Sequence, residues 1–587
     1  MQFERSIGRQ LILWLVATLL LWGCGASDNQ EFTSVTDNYF RQWASQHPVE
    51  AGQVGFREYD HRLPDLTQTG QEDRKELYLS TLDDLDGIDP ADLSTQNRID
   101  YYILNKALRY QVFRLDTLKV FSWDPTQYTE TVTSALIDFA SDPVVPDSQR
   151  AKALIRRLQN LGGWLGQVIG QLENPTPEHT EVAIRQAREI ADYLSNGAFL
   201  PLFESLDQPT RTSLENWASN GSNVLNKFAG QLESQVLPNA SRQVRLGGSY
   251  YAQKFRYLIS SEVQPEQILT QAEEQVTALR DTLFLAAAGL AEEWWSIRYR
   301  NPNRGQKTRL IQRVMNRIRE SHSAEDEIVQ YLNSQLGPME EFVRQHKLIS
   351  LAHEVSLRAR SDVLLLQGNT VARLHNPGLL EQEYLAEILF RAIPTDWSAK
   401  QVQEFLEEYN NFALQLVAMR YGIPGQYMQE YYARRFPSLV RSLYGGTVLR
   451  RGWGSYAEKM MVDEGWEQES PEIRVLQVQR EIRDALIAVL DHRIHIQGLN
   501  RAEAIARLRT DGFITTAEAN RIWRYLQMNA VTPSASFIGK EQILDTRRRY
   551  RQQYGQDYSL QEFHQQILSY GSIPLDYLRQ LLLAGRI

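Results

Sequence analysis

The chain has 587 residues and a formal net charge of −9, with 42% hydrophobic and 23% charged residues. That balance excludes a disordered chain, and the acidic surplus excludes general nucleic-acid binding, which needs a basic surface. The one cysteine, Cys24, rules out an intramolecular disulfide and an all-cysteine metal site.

Arg5 and Arg9 precede an apolar run from Leu11 to Trp22 that only Thr18 interrupts. A run of about a dozen residues is too short to span a bilayer, which takes roughly 20. A positive start followed by a short apolar stretch makes a secretory signal. The run closes on Leu21-Trp22-Gly23-Cys24, followed by Gly25. This resembles a bacterial lipobox, in which a peptidase cuts before the cysteine and the cysteine is acylated, palmitate being a usual chain. Trp22 departs from the small residue usual at its place. The resemblance implies a lipoprotein signal peptide over 1–23, lipidation of Cys24 and a membrane-lipid partner through it. Gly25, where Asp would signal inner-membrane retention, implies an outer-membrane lipoprotein of the cell envelope, facing the periplasm. The alternative is an ordinary export signal with a buried free thiol.

Residues 24–38 read as a small, polar tether, and 39–587 as one large, mostly α domain. Leu154, Leu158, Leu161, Leu165, Val168 and Leu172 recur at steps of four and three, which places them on one helix face. Asn174-Pro175-Thr176-Pro177 stops that helix, and Val182 to Leu194 repeats the pattern up to Asn196-Gly197. Pro265 opens a further run through Ile268, Ala272, Val276 and Leu279. Ser398 with Gln401 forms a capping box, ahead of a single stripe from Val402 through Phe405, Tyr409 and Phe412 to Val417. Partial alternation over 355–374, ending at Asn376-Pro377-Gly378, predicts two or three short strands.

Common motifs are missing. His353-Glu354 starts like a zinc-protease motif, but Leu357 stands where the second His belongs. The basic stretch from Arg298 to Arg317 reads as a solvated helix face, as does Arg547-Arg548-Arg549.

Several segments of the C-terminal half occur in a familiar order: Met419-Arg420-Tyr421-Gly422-Ile423-Pro424-Gly425-Gln426, then Arg451-Gly452-Trp453-Gly454-Ser455-Tyr456-Ala457-Glu458, then Leu490-Asp491-His492-Arg493-Ile494-His495, and Gly571-Ser572-Ile573-Pro574. Together they resemble the bacterial family called domain of unknown function 885, a helical, zincin-like group read as metallopeptidases. The resemblance implies a site built on H-E-x-x-P-G-H and a later E-G-W. Two imidazoles and a carboxylate would hold zinc with one position open, and the Glu after the first His would take a proton from the bound water. Residues six apart do not share a face of a regular helix, so the Pro-Gly between the two His positions must distort it.

At those places this chain carries Arg420 and Gln426 for the two His, Tyr421 for the base and Arg451 for the ligand Glu. Ser536 stands where the family usually has Tyr. The resemblance therefore implies an inactive metallopeptidase homologue, with no catalytic set, no metal and no cofactor. Arg420 and Arg451, if both face the old cleft, would suit a peptide or small carboxylate, with Tyr421, Tyr427 and Trp453 as apolar walls. Pairing with local acids such as Glu430, Glu458 or Asp463 would instead give them a structural role. Tyr456, Asp491 and His495 are further candidate ligand-binding residues. Asp491 and His495, four apart on one helix face, could equally form a structural pair. The expected function is a membrane-anchored envelope protein acting in binding. A hydrolase with a reassigned, zinc-free site and a structural envelope protein are the alternatives.

Overall fold

The computed structural model describes residues 28–585, apart from 260–261, 352–354, 363–370, 382–384, 395–396, 437, 467 and 469. The signal segment 1–23, Cys24 and the His353-Glu354 pair lie outside the described residues. The first helix runs over 28–46, earlier than the expected start at Tyr39. Phe32, Tyr39, Phe40 and Trp43 are buried on its inner face, and Phe32 packs against Tyr101 with ring centroids 6.3 Å apart. The polar residues of 28–38, read as tether, are the exposed side of an amphipathic helix.

The helical periods are realised in order. Leu154, Leu158, Leu161, Leu165 and Val168 form the buried face of helix Asp147–Val168, while Leu172, expected on that face, lies beyond the helix in extended backbone. Thr176 caps Pro177–Ser195 by accepting from the His179 amide. Pro265 opens Pro265–Trp295, and Ser398 with Gln401 makes the capping box of Ala399–Glu408. The stripe behind Ser398 is split between two helices. The first ends at Glu408, and Asn410 accepts from the Ala413 amide to start a new one at Asn411. An Asn side chain can serve the free amides of a first turn, so the apolar spacing continues while the helix does not.

The unit expected over 39–587 encloses two apolar cores. One is built mostly within residues 113–236, around Leu158, Leu161, Phe203 and Phe228. The other joins the helices before Leu108 to those after Tyr251. The larger core carries the three-stranded sheet: β1 (Leu357–Asp362), β2 (Ala372–His375) and β3 (Ala386–Arg391). Central β3 pairs parallel with β1 and antiparallel with β2. β1 and β2 fall in the expected region, and β3 lies beyond it. Ala386 to Phe390 are all buried, so this strand shows a run and no alternation.

Six helices surround the candidate site: α1 (Asn411–Tyr421), α2 (Gln426–Arg434), α3 (Thr447–Met461), α4 (Pro471–His492), α5 (Thr516–Met528) and α6 (Ala535–Tyr554). α3 and α6 cross backbone against backbone at two glycines. A Cβ on Gly452 would sit 2.4 Å from the Gly539 Cα, and one on Gly539 would sit 2.3 Å from the Val448 carbonyl oxygen. Alanine gains about 1 kcal/mol of helix propensity over glycine, but forcing two backbones apart costs more than that. Gly452→Ala and Gly539→Ala are each expected to lower stability by a net ~1–3 kcal/mol, read as a fall in the denaturant midpoint. An unchanged midpoint would show that the helices can separate freely.

Candidate functional site

The segment expected to distort is a complete break. α1 ends at Tyr421, Gly422 and Gly425 adopt non-helical dihedrals, and α2 restarts at Gln426. The return is tight: a Cβ on Gly425 would lie 2.1 Å from the Arg420 carbonyl oxygen, and one on Gly422 would lie 2.6 Å from that of Ala418. α3 seats on the break. The Trp453 indole N–H donates to the Pro424 carbonyl at 2.9 Å, and at Gly454 an added Cβ would meet the Arg420 carbonyl at 2.9 Å. These glycines and the tryptophan fix the path of the chain at the break.

The break brings together the positions that the resemblance singled out. Arg420, Tyr421, Gln426, Arg451 and Ser536 all line one cavity of about 290 Å³, bounded by α1 to α6 and by the β2 edge at Val371 to Asn376. Solvent reaches it, since the Arg373 and Arg450 side chains in its wall are 36% and 46% exposed. Tyr427 and Trp453, expected as walls, are buried in the core and do not line it.

Charge dominates this wall. The Arg420 guanidinium forks onto Glu458, with Nε 2.8 Å and Nη2 2.7 Å from its two oxygens, and Nη2 also reaches Asp484 at 2.7 Å. Arg480 adds a second guanidinium to Glu458, and Ser455 donates to Asp484. Burial alone would raise the Asp484 carboxyl, but Arg420, with Arg483 and Arg480 behind it, holds it at about 2. Further around the wall, Arg521 and Tyr409 donate to buried Glu518, which Arg483 also approaches at 3.6 Å. Arg373 meets Asp138 at 2.7 Å and Asp362 at 3.4 Å, and Arg450 meets Glu430 at 3.1 Å.

Arg451 differs. Its Nη1 donates to the Tyr525 hydroxyl at 2.6 Å and reaches the Thr532 carbonyl at 3.5 Å. Among the described residues no carboxylate lies within 4 Å of it; Glu430 is taken by Arg450, and Asp463 by Lys459 and Arg474. Pairing with a local acid thus holds for Arg420, through Glu458, and fails for Arg451.

Three expected ligand-binding residues lie outside the cavity. Tyr456 is fully buried, and its hydroxyl bonds the His564 Nε2 at 2.6 Å. His564 Nδ1 lies 2.7 Å from the Leu348 carbonyl, which can only accept, so Nδ1 carries the proton and Tyr456 donates. Burial pushes His564 down to about 3, which keeps it neutral. Asp491 accepts from the Tyr251 and Ser534 hydroxyls and the Val531 amide, at 2.9, 2.7 and 3.0 Å. His495 lies 3.9 Å from Asp491 and donates to the Leu526 carbonyl at 2.8 Å. Burial raises Asp491 to about 6 and lowers His495 to about 4. Asp491, at the end of α4, ties in the α5–α6 connection through Val531 and Ser534, and His495, just beyond α4, ties in the last turn of α5 through Leu526; neither lines the cavity.

The residues present do not fit zinc. Two guanidiniums, a phenol and a primary amide stand at the expected ligand and base positions, and a guanidinium offers no lone pair. Among the described residues no group of three His, Cys, Asp or Glu side chains could hold a metal ion. Sequence reasoning missed Arg480, Arg483, Asp484, Arg521 and Tyr525, which make up much of the wall. A signal existed on α4, where Arg480, Arg483 and Asp484 interrupt the apolar series Ile473, Leu476, Ile482 and Leu486.

Two solved structures share the fold. One, from Shewanella oneidensis and described as a "putative lipoprotein of unknown function", matches with a TM-score of 0.74 and 24% identity over 94% of this chain and 99% of its own. The other, described as a "putative lipoprotein" from Colwellia psychrerythraea, matches with a TM-score of 0.76 and 14% identity over 95% and 99%. No curated protein matches the chain. The sequence pattern of the family described as "bacterial protein of unknown function (DUF885)" matches residues 48–582, nearly the whole folded body, and the chain belongs to that family.

Proposed function

We propose that this protein is a lipid-anchored envelope protein that binds a small ligand in the arginine-lined cavity and hydrolyses nothing through zinc. The observation that carries this reading is the convergence of all the substituted positions on one solvent-reached cavity. The chemistry of the zincin site is replaced there by a set suited to holding an anion. The reassigned-hydrolase reading loses support, because Tyr456, Asp491 and His495 lie outside that cavity. Metal analysis of the purified chain tests the reading: zinc far below one equivalent is expected, and one equivalent would overturn it.

The anchor rests on Leu21-Trp22-Gly23-Cys24 and on the lipoprotein descriptions of the two structural neighbours. Among the described residues no helix is long and apolar enough to cross a membrane. One acyl chain binds a bilayer marginally and several hold firmly. Cys24→Ser is expected to move the protein from the membrane to the soluble envelope fraction. Retention in the membrane, with no acyl mass on the unaltered chain, would exclude lipidation.

A further inference from the structure

We infer that the cavity binds one carboxylate group of a small, otherwise uncharged acid, and that Arg451 is its anchor. This rests on the binding reading above and narrows it to a ligand class. Seven arginines line the cavity. Six of them contact six carboxylates, of which Asp484 and Glu430 line the cavity and Glu458, Glu518, Asp138 and Asp362 stand behind its arginines. Arg451 is the seventh, and its charge faces only a phenol and a carbonyl. The wall therefore carries one uncompensated positive charge.

Unused hydrogen-bonding capacity lies at the same place. Among the described residues, Arg451 Nε and Nη2, the Tyr421 and Ser536 hydroxyls and the Gln426 amide have no protein partner, and all four side chains line the cavity. They come from α1, α2, α3 and α6, four separate elements. A carboxylate has about four lone-pair positions and is an acceptor only, which matches this supply of donors. A neutral amide in its place would leave a guanidinium facing no anion, and polar groups left unpaired are what make such sites selective. A second negative charge would find every other arginine already taken. The remaining wall at Val371, Leu374, Val417 and Ile487 is apolar and suits an uncharged body. The volume of about 290 Å³ sits at the lower edge of small-molecule sites.

Calorimetry on the purified full-length chain tests this with hydrocinnamate, hydrocinnamamide, phenylsuccinate and inorganic phosphate. Hydrocinnamate is expected to bind, the amide at least tenfold more weakly, and the two dianions no more tightly than hydrocinnamate. An acetylated dipeptide with a free or an amidated C-terminus separates a chain terminus from a free acid as the natural source of the carboxylate. Arg451→Gln should weaken hydrocinnamate at least tenfold and leave the amide unchanged, while Arg451→Lys should retain part of the affinity. If Arg451→Gln does not fold, the acid–amide contrast on the unaltered chain decides. Equal binding of acid and amide overturns the inference and leaves the binding reading standing. Preferred binding of a dianion overturns the single-charge count. No binding by any probe overturns the inference, and one equivalent of zinc on the chain overturns the reading beneath it.

Discussion

Arg420→Gln is expected to destabilise the protein by about 3 kcal/mol at neutral pH, the largest loss of any single change in the cavity wall. Glu458 and Asp484 are both buried, and Arg420 is the group that joins them. Breaking a buried pair leaves a charge out of water without its partner, which costs about 3–5 kcal/mol. The lower figure applies because Arg480 stays on Glu458 and Arg483 remains near Asp484. The pH dependence identifies the cause. Asp484 titrates at about 2 in the folded chain against an ordinary 3.8, so the folded state binds fewer protons than the unfolded state between those values. That difference is worth about 2 kcal/mol. The contribution is complete above pH ~4 and is lost as pH falls through ~2. Without Arg420, only Arg483 and Arg480 oppose the effect of burial on Asp484, and its carboxyl takes up a proton at higher pH. The deficit of Arg420→Gln should therefore shrink as pH falls from 7 toward 4. Urea midpoints of both proteins across that range measure it, and a deficit independent of pH would remove Asp484 from the account.

The same ion cluster shows what the sequence could and could not reveal. Helix starts were legible because a cap is local: Ser398 with Gln401 and Pro265 each act within one turn. Apolar faces were legible for the same reason, as along Leu154 to Val168. The break at Tyr409–Asn410 was hidden because two consecutive helices can continue one apolar spacing. β3 was hidden because burial on both faces removes alternation. At the site, family resemblance led to Arg420, Tyr421, Gln426, Arg451 and Ser536, and the fold brings them together. Tyr456, Asp491 and His495 lie outside the cavity, and for the last two the structural pair that the spacing equally allowed is the arrangement seen, because a buried carboxylate bonded to Tyr251 and Ser534 has the same residue types as a polar cleft. The partners of Arg420 and Arg451 lie on α3 to α5 and on the loop before α6, 38 to 81 positions from them. Nothing in local spacing says whether an arginine so placed meets a carboxylate or a phenol.

Arg420→His, Tyr421→Glu, Gln426→His and Arg451→Glu, introduced together, are expected to raise zinc affinity by at least three orders of magnitude. Charge supplies the first part of the argument. The cavity wall now carries one surplus positive charge, and the four changes remove two guanidiniums and add two carboxylates, leaving a surplus of three negative charges. A dication would then lower the electrostatic cost of the folded cavity instead of raising it. Geometry supplies the second part. Positions 420 and 426 both line the cavity because the chain breaks at Gly422–Gly425, and position 451 faces it from α3. Two imidazoles and a carboxylate with an open fourth position make a zinc donor set. Hydrolysis is not expected to return with the metal, since Ser536 stands where the resemblance implies a Tyr. Folding and binding are separable here, because a ligand that binds only the folded state raises the unfolding free energy by about 2.7 kcal/mol at a hundredfold excess over its Kd. A quadruple variant that melts low without zinc and recovers with it would show both the lost arginine pairing and the gained site. Arg420→His with Gln426→His alone, which keeps Arg451 in the wall, should bind far more weakly. A folded quadruple variant that takes up no zinc would mean that the arginines on α4 and α5 hold the new ligands apart, and that the cavity has been rebuilt beyond the four side chains.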